Sequence, residues 1–353
     1  MFVKLAVLGV VLGCVLVFWR RLSGLVDTAV GLLDNLFERR RTGPLKDAPL
    51  AGFLLAPALA VLGVFGVAPL VLAVYLSLFE GKGLNMRFGG LVNYSRALSQ
   101  EGFWDSFLVT VYYAAGTIPL CLIVSFLVAN GLYRLGRGRG LFRTLYFLPY
   151  VTSVVAAATV WRVILHPHVG LVNAMLQSWG FSADALPQWL LEPNGAIHLL
   201  TGGVVSEDVG PSLALCCVIL FDVWHASGFM IVILLAGLTT IPRELEEAAT
   251  IDGAGPLQRA WHVTLPLISP TVFFLLIVSV IKGFQAFNSF YALTGNGRGP
   301  LDTTQNMTVY IFTNLYEYQR LGYGAAAATL LAVAIVILTL LQWRFVGRRV
   351  HYE

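Results

Sequence analysis

Apolar residues in this chain run in long blocks separated by shorter polar connections. The blocks fall at about 2–19, 51–78, 106–130, 145–165, 211–238, 267–291 and 324–346. A hydrocarbon core about 30 Å thick takes roughly 20 helical residues, so each block is long enough to cross it. Runs this uniformly apolar predict helices; barrel strands would alternate lipid-facing and lumen-facing positions. The expected fold is an all-α integral membrane protein. A further pattern lies between the first two blocks. Leu22, Leu25, Val26, Ala29, Leu32, Leu33 and Leu36 recur at helical spacing, with Asp27, Asp34 and Glu38 mostly between them. This predicts an amphipathic helix, either in the cytoplasmic interface or packed on the bundle.

Lys and Arg in the connections set the orientation. Fifteen of the 23 fall on one side, in segments 20–50, 131–144 and 239–266 and at the C-terminus. Six fall on the other, namely Lys4, Lys82, Arg87, Arg96, Arg298 and Arg320, while Arg162 and Lys282 lie within blocks. The 166–210 connection has no Lys or Arg but carries Asp184, Glu192, Glu207 and Asp208. It is expected outside the plasma (inner) membrane, and the 239–266 loop inside. Residues 1–19 then read as an uncleaved anchor with the N-terminus outside. The C-terminal tail, 347–353, is expected in the cytoplasm. Val11-Leu12-Gly13-Cys14 faintly resembles a lipoprotein cleavage site, but the apolar run continues past it to Arg20-Arg21.

Composition narrows the classes further. Hydrophobic residues make up 57% of the 353 and charged residues 12%, too few charges to cover a soluble surface of this size. Disorder requires the opposite balance. A net charge of +4 gives no nucleic-acid footprint. Cys14, Cys121, Cys216 and Cys217 each sit inside an apolar run and read as small hydrophobes, with no metal-ligand spacing. No Gly-x-x-x-x-Gly-Lys-Ser/Thr, His-Glu-x-x-His or Gly-x-Ser-x-Gly occurs, so neither a nucleotide site nor a catalytic site is expected.

The 241–266 segment carries the functional signal. Pro242 suits a first helical position, and Glu244, Glu246 and Glu247 complement the positive end of a helix dipole. Gly253 supplies a left-handed stop, Pro256 opens a second short helix, and Pro266 is expected to end it. Ala248 and Ala249 keep one side small enough for another surface to approach. From helix signals alone, a plain connector and a docking element fit equally. Glu247-Ala248-Ala249, Gly253 six residues after the Glu, then Val263, Leu265 and Pro266 resemble the "EAA" loop of ABC importer permeases, with Val263 where Ile is usual. Asp252-Gly253-Ala254 is similar to the form in sugar importers. Trp161-Arg162, Gly170-Leu171-Val172-Asn173, Trp224, Leu234 through Leu238 and Thr294-Gly295 extend the likeness over residues 50–346.

The resemblance, to carbohydrate permeases of the maltose and glycerol-phosphate uptake type, implies a six-span permease core at 51–346. The 1–19 helix and the 20–50 segment would be additions to that core. It also implies partners. These are two ATP-binding subunits holding ATP-Mg, a second permease making a heterodimer rather than a homodimer, an extracytoplasmic solute-binding protein, a carbohydrate substrate and membrane lipid. Glu247, Ala248, Ala249, Asp252, Gly253, Leu265 and Pro266 would couple to the ATPase, and the chain would have no chemistry of its own.

Polar groups inside spans are costly and mark pathways. Phe284, Phe287, Asn288 and Tyr291 fall at i, i+3, i+4 and i+7, which predicts one helical face able to stack on and hydrogen-bond a sugar. Plain helix packing is the alternative for that face. Lys282, Gln285 and Ser289 mark an adjacent face, and Asp222, Trp224 and His225 are secondary candidates. An ion-coupled secondary carrier is the competing class. Asp222 is its sole intramembrane carboxylate, which is thin support.

Overall fold

The structure, a computed structural model, describes residues 48–347 apart from 84, 136–137, 183–185, 203, 205 and 207–209. The expected 1–19 anchor, the 22–38 amphipathic helix and all but the first residue of the 347–353 tail lie outside the described residues. Contacts divide the chain into two units at Leu72/Ala73. The first unit contains α1 (Ala48–Leu62), a π-helical turn Gly63–Val67 and the start of α2 (Ala68–Ser77). Pro57 sits within α1. The run Ala51–Ser77 is long and apolar enough to cross a membrane, as predicted.

The second unit carries the remaining elements. A hairpin of β1 (Phe79–Lys82) and β2 (Asn85–Phe88) is followed by α3 (Val92–Ser99) and the long α4 (Glu101–Arg134). Next come α5 (Arg139–Val151), α6 (Val154–Ile164), α7 (Leu171–Ser178), α8 (Ala196–Leu200) and α9 (Leu213–Leu238). Beyond α9 lie α10 (Arg243–Ile251), α11 (Pro256–Arg259), a π-helical turn Ala260–Thr264, α12 (Leu265–Leu267) and α13 (Ser269–Phe284). The chain ends with α14 (Asn288–Thr294), α15 (Met307–Phe312), a π-helical turn Thr313–Glu317 and α16 (Leu321–Phe345).

At the centre stands α9, whose apolar window is 56% buried against 33% for α4 and for α16. It packs along α4 and α5 over small residues. Gly116 of α4 faces Ile219, and Gly228 of α9 approaches the Tyr146 carbonyl so closely that a Cβ would collide with it. Close backbone approach over small residues is how helices associate where lipid removes the hydrophobic drive. Ser125 Oγ adds a hydrogen bond to the Ser227 carbonyl at 3.3 Å. Phe221, Leu215, Ile231, Leu234 and Leu238 fill the core around this axis.

The two ends of the unit are distinguished by their neighbours. Asn130 and Arg134, at the C-terminal end of α4, share a groove with Pro256 and Leu257. Gly102 and Asp105, at its start, share a cleft with Pro193, Gly195 and Pro211. The 239–266 loop and the 166–210 connection therefore lie at opposite ends, as the charge distribution predicts.

Two predicted spans are not straight. The 145–165 block bends by 93° between α5 and α6. Thr152 leaves the helix there, its hydroxyl donating to the Pro149 carbonyl, while Nε2 of His225 lies 3.4 Å from the Thr152 carbonyl oxygen. The 267–291 block is broken twice. One bend of 75° falls at Ile268, before Pro270, so Pro266 does not terminate the second loop helix. Pro270 cannot donate to the preceding turn, which leaves the ladder open at that point. The second break, at Gln285–Phe287, bears directly on the site.

Candidate functional site: a coupling elbow and a transmembrane cavity

The elbow is built from α10, α11 and the turn between them. Pro242 is the residue before the helix rather than its first turn, with ψ 131°, and α10 begins at Arg243. The helix ends in a left-handed stop. The Asp252 amide donates to Ala248, Gly253 to Thr250 and Ala254 to Ala249, with Gly253 at φ +80°. Nothing lies within 4 Å of a Cβ added to Gly253, so the backbone conformation alone selects glycine there. Gly255 starts the second helix, its N–H donating to Gln258 Oε1 at 2.9 Å. Arg259 Nη1 donates to Thr250 Oγ1 at 2.6 Å, pinning the two short helices together.

Glu247, Ala248, Asp252 and Gly253 are exposed on this elbow and Ala249 is half-buried beside them. Leu265 and Pro266 are placed differently. Both are half-buried where the chain re-enters the bundle, so they support the elbow rather than face outward with it.

The second feature is a cavity of about 370 Å³ within the bundle. Gln285, Phe287 and Asn288 line it, and so do Asp222, His225 and Lys282. The single face predicted for Phe284, Phe287, Asn288 and Tyr291 does not exist, because the helix stops at Phe284 and restarts at Asn288. The freed Ala286 carbonyl accepts from Asn306 Nδ2 at 2.6 Å and from the Thr308 hydroxyl. Phe284 turns inward instead, 5% exposed in a cluster with Ile118, Tyr310 and Tyr323. Tyr291 stacks on Phe287 at 5.4 Å and meets Phe312 edge-on, off the cavity wall. Trp224 packs against Trp161 and Phe221 and does not line the cavity either.

Lys282, Gln285 and Asn288 form an exposed polar edge, and neither carboxamide is bonded to another group among the described residues. Lys282 Nζ lies 5.0 Å from the Phe229 ring centroid and 5.6 Å from that of Tyr150, two rings that stack at 5.2 Å. Its one hydrogen bond among the described residues is to the Tyr150 hydroxyl, at 3.4 Å. Tyr150 and Phe229 were not legible as site residues in the sequence; helical aromatics are ordinarily core. Asp222, a secondary candidate from the sequence, accepts from the Tyr113 and Ser289 hydroxyls at 2.7 and 2.6 Å. The motif residues outside the elbow have local duties. Asn173 donates to the Pro167 and Pro187 carbonyls and accepts from Trp189 Nε1 at 2.7 Å, holding the 166–210 connection.

A bent span beside a cavity edged by polar groups, with an exposed helix–turn–helix at one end, fits the architecture of a membrane permease. Residues 86–352 match the family described as binding-protein-dependent transport system inner membrane component. The sn-glycerol-3-phosphate transport system permease protein UgpA of Agrobacterium fabrum is 32% identical over 302 residues, covering 85% of this chain and 95% of the relative. The protein of that name from Yersinia pestis is 32% identical over 303 residues, with the same coverage. A crystal structure of a bacterial ABC transporter involved in the import of the acidic polysaccharide alginate aligns with a TM-score of 0.70 at 22% identity, covering 86% of this chain and 96% of that one. The chain belongs to the family of binding-protein-dependent transport system inner membrane components. It is a multi-pass membrane protein whose relatives are transport permeases.

Proposed function

We propose that the chain forms half of the translocation pathway of an ATP-driven importer, paired with a second, non-identical permease. The elbow would dock in a cleft of a separate ATPase subunit, which binds ATP-Mg. Glu247, Ala248, Ala249, Asp252 and Gly253 form the contact, with Leu265 and Pro266 transmitting the movement into α13. The elbow faces the cytoplasm, the N-terminus lies outside, and a solute-binding protein delivers carbohydrate to the outer end. The observation that carries this proposal is the exposed, internally pinned elbow bearing the importer motif.

Gln285, Phe287, Asn288 and Lys282 are the solute-facing groups in this proposal. Two carboxamides and a ring suit hydroxyls and a pyranose or polyol backbone, and the ammonium suits an anionic substituent. The 32%-identical relatives are named for sn-glycerol 3-phosphate, which carries such a group. The partly exposed polar edge has no stable place against lipid and fits a water-filled path shared with the second permease.

Co-expression with the cognate ATPase, second permease and binding protein tests this. ATP-dependent uptake into vesicles and co-purification of the ATPase are expected. Ala248→Trp should abolish both while membrane insertion persists. Uptake without ATP by the chain alone would overturn the proposal.

A further inference from the structure

The end of the unit opposite the elbow carries a strongly basic cleft that transport through the cavity does not require. Lys82, Arg87, Arg96 and Arg320 converge on it, with Glu80 the one carboxylate among its lining residues. These are four of the five Lys and Arg in the connections at this end among the described residues. The fifth, Arg298, is paired with Glu317 and shares the Tyr318 ring with Arg320. Membrane proteins deplete Lys and Arg on the outer side, so gathering nearly all of them in one place is a departure from chance.

The cleft has a volume of about 890 Å³ and a rigid frame. Asn93 is buried and donates to the Ser77 and Phe79 carbonyls at 2.9 and 2.7 Å, fixing the base of the hairpin to α3. The Gly83 amide donates to the Gln319 carbonyl at 2.9 Å, tying the hairpin tip to the residue before Arg320. Gln100 Oε1 accepts from the Tyr310 and Tyr323 hydroxyls at 3.3 and 2.6 Å. Glu80 is 2.8 Å from Arg87 and 3.8 Å from Arg96, so two of the four cations pair with the one carboxylate in the lining. The side chains of Arg87 and Arg96 are 84% and 51% exposed. Such charges are too open to enclose a small solute but well placed to meet a surface.

We infer that this cleft docks an acidic patch on the extracytoplasmic solute-binding protein. The inference rests on the importer reading above and on charge complementarity. The surplus of three positive charges on a fixed frame calls for a partner of opposite sign. Exposed charges of this kind act through encounter rate and register, over a range of about 8–10 Å at physiological salt.

The test uses the assembled importer in nanodiscs and the binding protein from the uptake assay. Association is followed by surface interferometry across a salt series. Lys82→Glu with Arg87→Glu should slow association at least tenfold at low salt and flatten its salt dependence. Basal ATP hydrolysis should stay unchanged, since neither residue touches the elbow or the cavity. Arg320→Gln gives a milder version that leaves the hairpin intact. Unaltered association and salt slope in the double variant would overturn the inference while leaving the importer reading standing. Slower solute uptake with normal association would also overturn it, assigning the cleft to the solute. Failure to couple to any ATPase, in the unmodified protein, would instead remove the importer reading itself.

Discussion

Asp222 accepts the Ser289 hydroxyl at 2.6 Å, joining the central helix α9 to the helix that restarts beyond the break in the sixth predicted span. Tyr113 of α4 donates to the same oxygen at 2.7 Å. Three elements thus meet on one carboxylate inside the bundle. Both donors to this oxygen come from the protein.

A coupling carboxylate in an ion-driven carrier must exchange its partners as the ion enters and leaves. Asp222 is instead a staple, and its removal should act on stability. Asp222→Leu strands two buried hydroxyls, each costing about 1–3 kcal/mol. A lowered melting temperature of the detergent-solubilised protein is expected. Uptake in vesicles should remain dependent on ATP and indifferent to collapse of the proton gradient. Inhibition by a protonophore at constant ATP would contradict the staple role.

Gly253 stands at φ +80° with open space around it. Placing a Cβ on a left-handed backbone costs roughly 1–2 kcal/mol whatever the room available. Gly253→Ala should therefore lower the ratio of formed to unformed elbow by about 5–30-fold. Uptake should fall while membrane insertion survives. Gly253→Pro should abolish uptake altogether. Full activity in both variants, measured in reconstituted vesicles, would show that the turn geometry is dispensable.

The Arg259–Thr250 hydrogen bond separates docking from transmission. Neither Arg259 nor Thr250 belongs to the Glu247-Ala248-Ala249 motif, so Arg259→Ala leaves those side chains in place. A half-exposed, charge-assisted bond of this kind contributes about 1 kcal/mol or less. The ATPase should still co-purify with the variant. Less solute should be imported per ATP hydrolysed, a ratio read from parallel uptake and phosphate-release measurements. Loss of co-purification would place Arg259 in the docking contact itself.

What the sequence made legible was the membrane class, the opposed ends and the elbow, because each rests on local signals. Apolar block length, Lys and Arg placement, and a proline–glycine frame around Glu247-Ala248-Ala249 need no tertiary partner to be seen. The break at Gln285–Phe287 was illegible for the opposite reason. That stretch contains no proline or glycine, and its freed carbonyl is captured by Asn306 and Thr308, about twenty positions later in the chain. A helical wheel drawn through Phe284 and Tyr291 therefore joins residues that the fold sends different ways. Thr152 is similar, since the neighbour that lies against its carbonyl is His225 on another helix. Lys282 was seen as a candidate, but its platform of Tyr150 and Phe229 comes from two other helices.

That platform makes Lys282 the most informative position in the cavity. Its ammonium lies over two rings, hydrogen-bonds only the Tyr150 hydroxyl and forms none of the ion pairs among the described residues. A cation held this way is stabilised by the ring faces, yet its charge stays uncompensated and available to an incoming anion. Lys282→Met keeps the length of the stem and removes the charge. Under the proposed function, uptake of a phosphate-bearing solute by the reconstituted importer should then drop about tenfold in kcat/KM, equivalent to about 1.4 kcal/mol of lost stabilisation. Lys282→Arg should retain most of it, because a guanidinium can both stack on the rings and meet a phosphate. Basal ATP hydrolysis should be the same in all three proteins, which separates solute recognition from folding. If Lys282→Met instead failed to assemble with the second permease, the charge would belong to a contact between subunits. If uptake were unchanged, the solute would not pass the Tyr150–Phe229 platform at all.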